Sequence, residues 1–198
     1  MILSTKLTVY TTTATWFKTD SLQFVEVVLR GAGGGGSTDT GGGGGGAVDK
    51  RIDRDELPDL LTVTVGAGGT SGEDGTPTRF GELLTAENGR GGLYGGAGGL
   101  SYMRGGNGGI ANSPGQSVTS EVVRLLAGGG GGAGSGSVGG RSGFTPANTS
   151  NPAFWQWLQS GGGGNGGQFG GFPAGGGGAG APGANGVCTV IEYHREEY

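Results

Sequence analysis

Apolar and β-branched residues alternate with polar ones in short runs towards both ends of the chain, and long glycine-rich tracts separate those runs. In LQFVEVVLR, Leu22 to Arg30, residues Val25, Val27 and Leu29 fall on one face of a period-two pattern and Glu26 on the other, which predicts a half-buried strand. KLTVYTTTATWFK, Lys6 to Lys18, is rich in Thr, Val, Tyr and Trp and predicts one or two strands. AVDKRID, from Ala47, returns to the sheet, and ELPDL is a turn in which Pro58 prevents regular pairing. Leu61 to Val65 alternates cleanly, Arg79 to Ala86 reads as another strand, and Val187 to His194 as the closing one. Ser117 to Ala127 reads as a strand, with a short helix capped by Ser120 as the alternative. The one helix signal is Asn151 to Ser160: Asn151 can cap, Pro152 is preset for the first helical position, and Gly161 can stop the helix.

The glycine tracts lie at Gly31 to Gly36, Gly41 to Gly46, Gly89 to Gly99, Gly128 to Gly140 and Gly161 to Gly186. In the last, 15 of 26 residues are glycine, with no charged residue and no Ser or Thr, unlike a Gly/Ser linker. The early tracts border strand-like sequence, so the plan is strand, glycine excursion, strand, repeated. Glycine permits extended polyproline-II-like strands with three residues per turn and no internal hydrogen bonds. Every N–H and C=O must then pair with a neighbouring tract, and backbones without side chains can add Cα–H···O contacts. A six-glycine run such as Gly41 to Gly46 spans roughly 19 Å in this form. Gly31 to Gly36 and Gly41 to Gly46 are expected to run out and back about a turn at Ser37 to Thr40. The reading is one domain over residues 1–198: strand-rich over 1–86, glycine-rich over 87–186, with a closing strand at 187–194. Its class is all-β, a small antiparallel sandwich with packed polyglycine-II-like excursions and one short helix.

Composition narrows the chemistry. Hydrophobic residues make up only 32%, so a conventional core must be small. A net charge of −4, with twelve Lys and Arg in no basic run, argues against nucleic acid as a partner. The single cysteine, Cys188, leaves no internal disulfide framework and no multi-Cys zinc site, and its strand pattern reads as buried. Cys188 and the only histidine, His194, share a strand face about 20 Å apart, too far to act as a pair. The GxGxxG matches lack βαβ context, and Lys6, Lys18 and Lys50 form no P-loop. Glu73 with Asp74, and Asp53 with Asp55 and Glu56, lie in turn-like polar stretches and read as solvated residues. GGAGGL at Gly95 to Leu100 recurs as GGNGGI at Gly105 to Ile110, a ten-residue echo that fits neither collagen nor a calcium repeat. No secretory signal or membrane-length apolar run is visible. The expectation is a soluble non-enzyme made in the cytoplasm, without cofactor, metal or membrane insertion.

Exposed aromatics and loop tips are then the carriers of function. Trp155, Tyr94, Tyr102 and Phe144 interrupt sequence with few side chains to bury them, and are the candidates for a binding patch, including one for sugars. The alternative, aromatics clamped onto glycine tracts, is preferred for Phe154, Trp157, Phe169 and Phe172 and stands open for Trp155.

FVEVVLRGAGGGGST (residues 24–38), GGGGGGAVDKRIDRDELPDLLTVTVGAGG (41–69), TRFGELLTAENGRGG (78–92) and GAPGANGVCTVIEY (180–193) together resemble the glycine-rich tail proteins of double-stranded DNA bacteriophages, common among phages of actinobacteria. The resemblance implies a minor tail or tail-fibre component of the virion tail that works in host attachment. Its implied partners are other tail proteins and a host cell-surface glycan or envelope component, and its implied assembly is a homotrimer or a trimeric fibre. A capping or decoration subunit with no receptor contact is the alternative, and an ice-binding polyglycine-II bundle a weaker one.

Overall fold

The structure, a computed structural model, describes residues 3–119, 126–134, 136–151 and 159–196. Among the described residues, eight strands form two antiparallel sheets: β1 (Leu3–Tyr10), β2 (Ala14–Phe17), β3 (Leu22–Arg30), β4 (Ala47–Asp53), β5 (Leu60–Thr64), β6 (Thr78–Phe80), β7 (Leu84–Ala86) and β8 (Val187–Arg195). One sheet has the order β1-β8-β3-β4 and the other β2-β5-β6-β7. The chain's last strand therefore sits between its first and its third.

The inward faces follow the period-two pattern. Val25, Val27 and Leu29 meet Trp16, Leu61, Val63 and Phe80 from the opposite sheet, with Ile52, Cys188 and Val190 beside them, all buried. Trp16 and Phe80 pack tilted, ring centroids 5.5 Å apart. The outer face of β3 is covered near its end, where Val28 joins Ala47, Met103, Leu126 and Ala127 in a second apolar cluster. A strand covered on both faces reads as a nearly continuous apolar run, as VVL does here.

One sequence expectation changes. Arg79 to Ala86 is not one strand: β6 and β7 pair antiparallel, with Phe80 opposite Leu84. The reversal uses Gly81 at φ +53, a left-handed conformation that glycine enters without steric cost. Lys6 to Lys18, expected as one or two strands, holds two, which lie in different sheets, the first beginning at Leu3. The helix expected at Asn151 to Ser160 falls on residues 152–158, outside the described residues, as does most of Ser117 to Ala127. The described helical turns are two 3₁₀ segments, Arg54–Glu56 and Gly92–Tyr94.

Where β3 and β4 leave the sheet, their pairing continues in another form. Gly31 donates to the carbonyl of Gly46 at 2.9 Å, Gly34 to Gly43 at 2.9 Å, and Ser37 to Thr40 at 2.8 Å, so contact with the returning tract recurs at every third residue. Between these, Ala32 and Gly35 donate to Thr76 and Glu73, while Gly33 and Gly36 donate to Ala184 and Ala181. The returning tract repeats the scheme: Gly41 and Gly44 donate to Gly109 and Gly106, Gly42 and Gly45 to Gly177 and Ala174, Gly43 and Gly46 to Arg90 and Glu87. Three residues per turn and three neighbours per tract are the geometry of a packed polyglycine-II lattice. Interior positions have no room for a side chain: a Cβ on Gly33 would overlap the carbonyl oxygen of Gly175, and one on Gly42 that of Gly34.

Candidate functional site

The lattice ends in loops whose positions follow from the three-residue ladder. Six residues out from the sheet, the turn Ser37–Thr40 meets two other loops: Gly72 donates to Gly36 at 3.0 Å, and Ala111 to Asp39 at 3.3 Å. Thr40 also bridges Ile110, and Leu93 donates to Gly72 at 3.2 Å. This far end therefore gathers Leu93, Tyr94 and Ile110, which are 65%, 61% and 60% exposed. Tyr94 sits on the Gly92–Tyr94 turn, which Gly95 ends at φ +84.

The other candidates lie elsewhere. Tyr102 is exposed beside Met103, which bridges Ala47 at the sheet end of the lattice. Phe144 is also exposed; its N–H donates to Gln159 Oε1 at 2.6 Å, and the neighbouring Ser142 hydroxyl donates to Ala127 in the second apolar cluster. Tyr94, at the far end of the lattice, thus does not share a patch with Tyr102, at its sheet end. Trp155, with Phe154 and Trp157, lies outside the described residues. Of the aromatics expected as clamps, Phe172 is half-buried, but Phe169 is 71% exposed, a correction. The reason is geometric: neighbouring backbones already fill the space over each tract, so an aromatic ring next to one has only the outside to occupy.

The sides of the lattice carry surface depressions. One of about 370 Å³ is lined by Asp74, Glu87, Asn88, Arg90 and Leu100. There Arg90 Nη1 donates to Asp74 Oδ2 at 2.8 Å, and the other Asp74 oxygen accepts the Gly91 N–H at 2.7 Å. Asp74 and Arg90 therefore tie two loops together rather than waiting for a ligand. A second depression, of about 570 Å³, is mostly apolar, with Pro114, Val138, Pro146 and Ala147 in its wall.

A polar cluster at the open end of the sandwich escaped the sequence reading. Glu192 is buried on the inward face of β8; its Oε1 accepts the Trp16 indole N–H at 2.6 Å. Its other oxygen lies 3.0 Å from Lys6 Nζ and 3.2 Å from His194 Nε2. His194 Nδ1 in turn lies 3.1 Å from Ser21 Oγ and 3.3 Å from Thr19 Oγ1, fastening the end of β8 to the turn before β3. Two signals pointed here: period two places Glu192 inward with Cys188 and Val190, and a buried tryptophan needs an acceptor for its N–H. Cys188 lies in the sandwich core, where burial pushes its thiol up and keeps it protonated. Arg30, where β3 enters the lattice, is fully buried, and desolvation lowers its guanidinium to about 10.

A family model described as a glycine-rich domain matches residues 8–193, spanning both the sandwich and the lattice. No curated protein gave a significant match.

Proposed function

The chain belongs to the glycine-rich domain family, and we propose that it is a structural component of a bacteriophage tail tip or fibre that takes part in attachment to the host-cell surface. The observation that carries the reading is the lattice itself. Each glycine tract is fastened to three neighbours, so its loops are held at fixed positions on a body with very few side chains inside. Rigid loops presenting Leu93, Tyr94, Ile110, Tyr102 and Phe144 meet a partner at low entropic cost, which is how preorganised surfaces gain affinity. The motif order from the strand ending in GAGGGG to the closing GVCTVIEY strand supports the same reading by resemblance.

Gold-labelled antibody raised against the purified protein is expected to decorate the distal end of the tail in negative-stain images of virions that encode it. Absence of the label from the particle overturns the reading. In labelled particles, Tyr94→Ala, Tyr102→Ala and Phe144→Ala together are expected to slow adsorption to host cells without reducing the protein's incorporation. Unchanged adsorption leaves the capping role in place of attachment.

A further inference from the structure

We infer that the shelf between Asn148 and Phe169, on the side of the lattice, is a binding site for a neutral saccharide. The inference rests on the attachment reading only for the origin of the sugar, the host envelope; the chemistry of the shelf is read from its own residues. The depression is shallow and open, of about 520 Å³, and is lined by Asn148, Ser150, Gln168, Phe169 and three glycines. That volume is within the range of roughly 300–1,000 Å³ usual for small-ligand sites.

Among the described residues no ionisable side chain lines the shelf, so none of them selects a phosphate, a carboxylate or a cation there. What it offers is a flat apolar ring, 71% exposed, beside two carboxamides and a hydroxyl. Neither the Asn148 nor the Gln168 carboxamide has a hydrogen-bond partner among the described residues, and each both donates and accepts. The Ser150 hydroxyl oxygen already accepts the Phe172 N–H at 3.0 Å, leaving its proton to be donated. A sugar ring has the complementary form: one face of C–H groups to lie on an aromatic ring, and a rim of hydroxyls that both donate and accept.

The backbone beneath is committed elsewhere, so the polar side chains are what a ligand meets. Gly167, Gly170 and Gly171 donate to Ala179, Pro182 and Gly162, and Gln168 donates to Asn165. Asn148 is held by its N–H, 2.7 Å from the carbonyl of Gly163, with φ +57. The floor is therefore fixed before a ligand arrives, which lowers the cost of ordering on binding.

The test is a titration of the isotope-labelled full chain, followed by NMR, with glucose, galactose, mannose, arabinose and N-acetylglucosamine, and with glucuronic acid as the charged control. At least one neutral sugar is expected to shift the side-chain amide signals of Asn148 and Gln168 and the ring signals of Phe169. Phe169→Ala is expected to weaken that binding by about tenfold or more, since the ring face is lost. Asn148→Gly, which keeps the left-handed backbone comfortable and deletes the carboxamide, weakens it while leaving the glycine amide spectrum intact. The proposal is overturned if no neutral sugar shifts these signals, if glucuronic acid is preferred, or if both variants bind like the parent chain. Tail labelling without sugar binding would remove the shelf and leave the attachment reading standing. Sugar binding without tail labelling would remove the attachment reading and keep the shelf.

Discussion

The sandwich and the glycine lattice solve one problem by opposite means. Both must pair every buried N–H and C=O. The sheets do so with straight ladders and are held by what their side chains bury, Trp16, Phe80, Val25, Val27 and Leu29 above all. The lattice does so by rotating each successive N–H to a different neighbour, and what holds it is that there are no side chains to keep the backbones apart. β3 passes from one regime to the other within a residue: Arg30 still pairs with Ala47, and Gly31 already begins the three-residue ladder. The same polymer thus packs through its side chains at one end and through its main chain at the other. Tolerance to substitution should invert between them.

The largest expected effect is on the sandwich side. Phe80→Ala removes a fully buried ring packed on Trp16 and should cost about 3–5 kcal/mol, read as a lowered urea midpoint. In the lattice the smallest possible addition is the disruptive one. Gly44→Ala would drive a methyl into the carbonyl of Gly128, and an overpacking cost at or above the upper end of about 1–3 kcal/mol is expected. Hydrogen exchange should then show lost protection at the lattice amides of Gly106 and Gly128 while Val25 to Leu29 stay protected. Gly95→Ala sharpens this pair. Its added methyl meets nothing within 4 Å, and only φ +84 opposes it, so it should cost roughly 1–2 kcal/mol with no local loss of protection. Equal effects of Gly44→Ala and Gly95→Ala would mean that close backbone contact does not hold the lattice.

Glu192→Ala probes the polar exception in the sandwich. It leaves the buried Trp16 N–H without its acceptor, an expected loss of about 1–3 kcal/mol by thermal melt, and Lys6, which is largely exposed, should add little. The smallest effect is on pH dependence. Burial raises the Cys188 thiol above its ordinary 9.0, so above that pH the unfolded chain releases a proton that the folded chain keeps. Stability contributed by this site is therefore unaffected below pH 9.0 and falls as pH rises past it. Tyr10, also raised by burial, adds to the fall above 10.0. Comparing parent and Cys188→Ala melts between pH 8 and 10 should show the steeper decline in the parent chain.

Much of this was legible along the chain because it rests on local rules. Period two picked out the inward face of β3, and the return through Gly41 to Gly46 about Ser37–Thr40 followed from two equal glycine runs flanking four polar residues. Other features needed contacts across long separations. The split of Arg79 to Ala86 turned on one left-handed glycine inside a pattern that otherwise alternates. Glu192 is held by Trp16 and Lys6, more than 170 positions away, a pairing that no spacing rule carries. Phe169 was expected to cover a glycine tract, and lies outside because backbone had already covered it. The candidate aromatics were legible as exposed residues but not as a site, since exposure is a property of one residue and a site is a relation among several.

The sequence by itself determined that this chain would be all-β, with strands at its two ends and packed main chain between them. Alternation and glycine content act within a few residues, and each leaves the chain one economical way to pair its backbone. Only the tertiary structure decided which tract lies against which, that β8 enters between β1 and β3, and that Asn148, Ser150, Gln168 and Phe169 line one shelf. Glycine carries no side chain by which one tract could recognise another. The partners are therefore set by where the sheets launch and receive each excursion, a condition imposed by the whole fold at once.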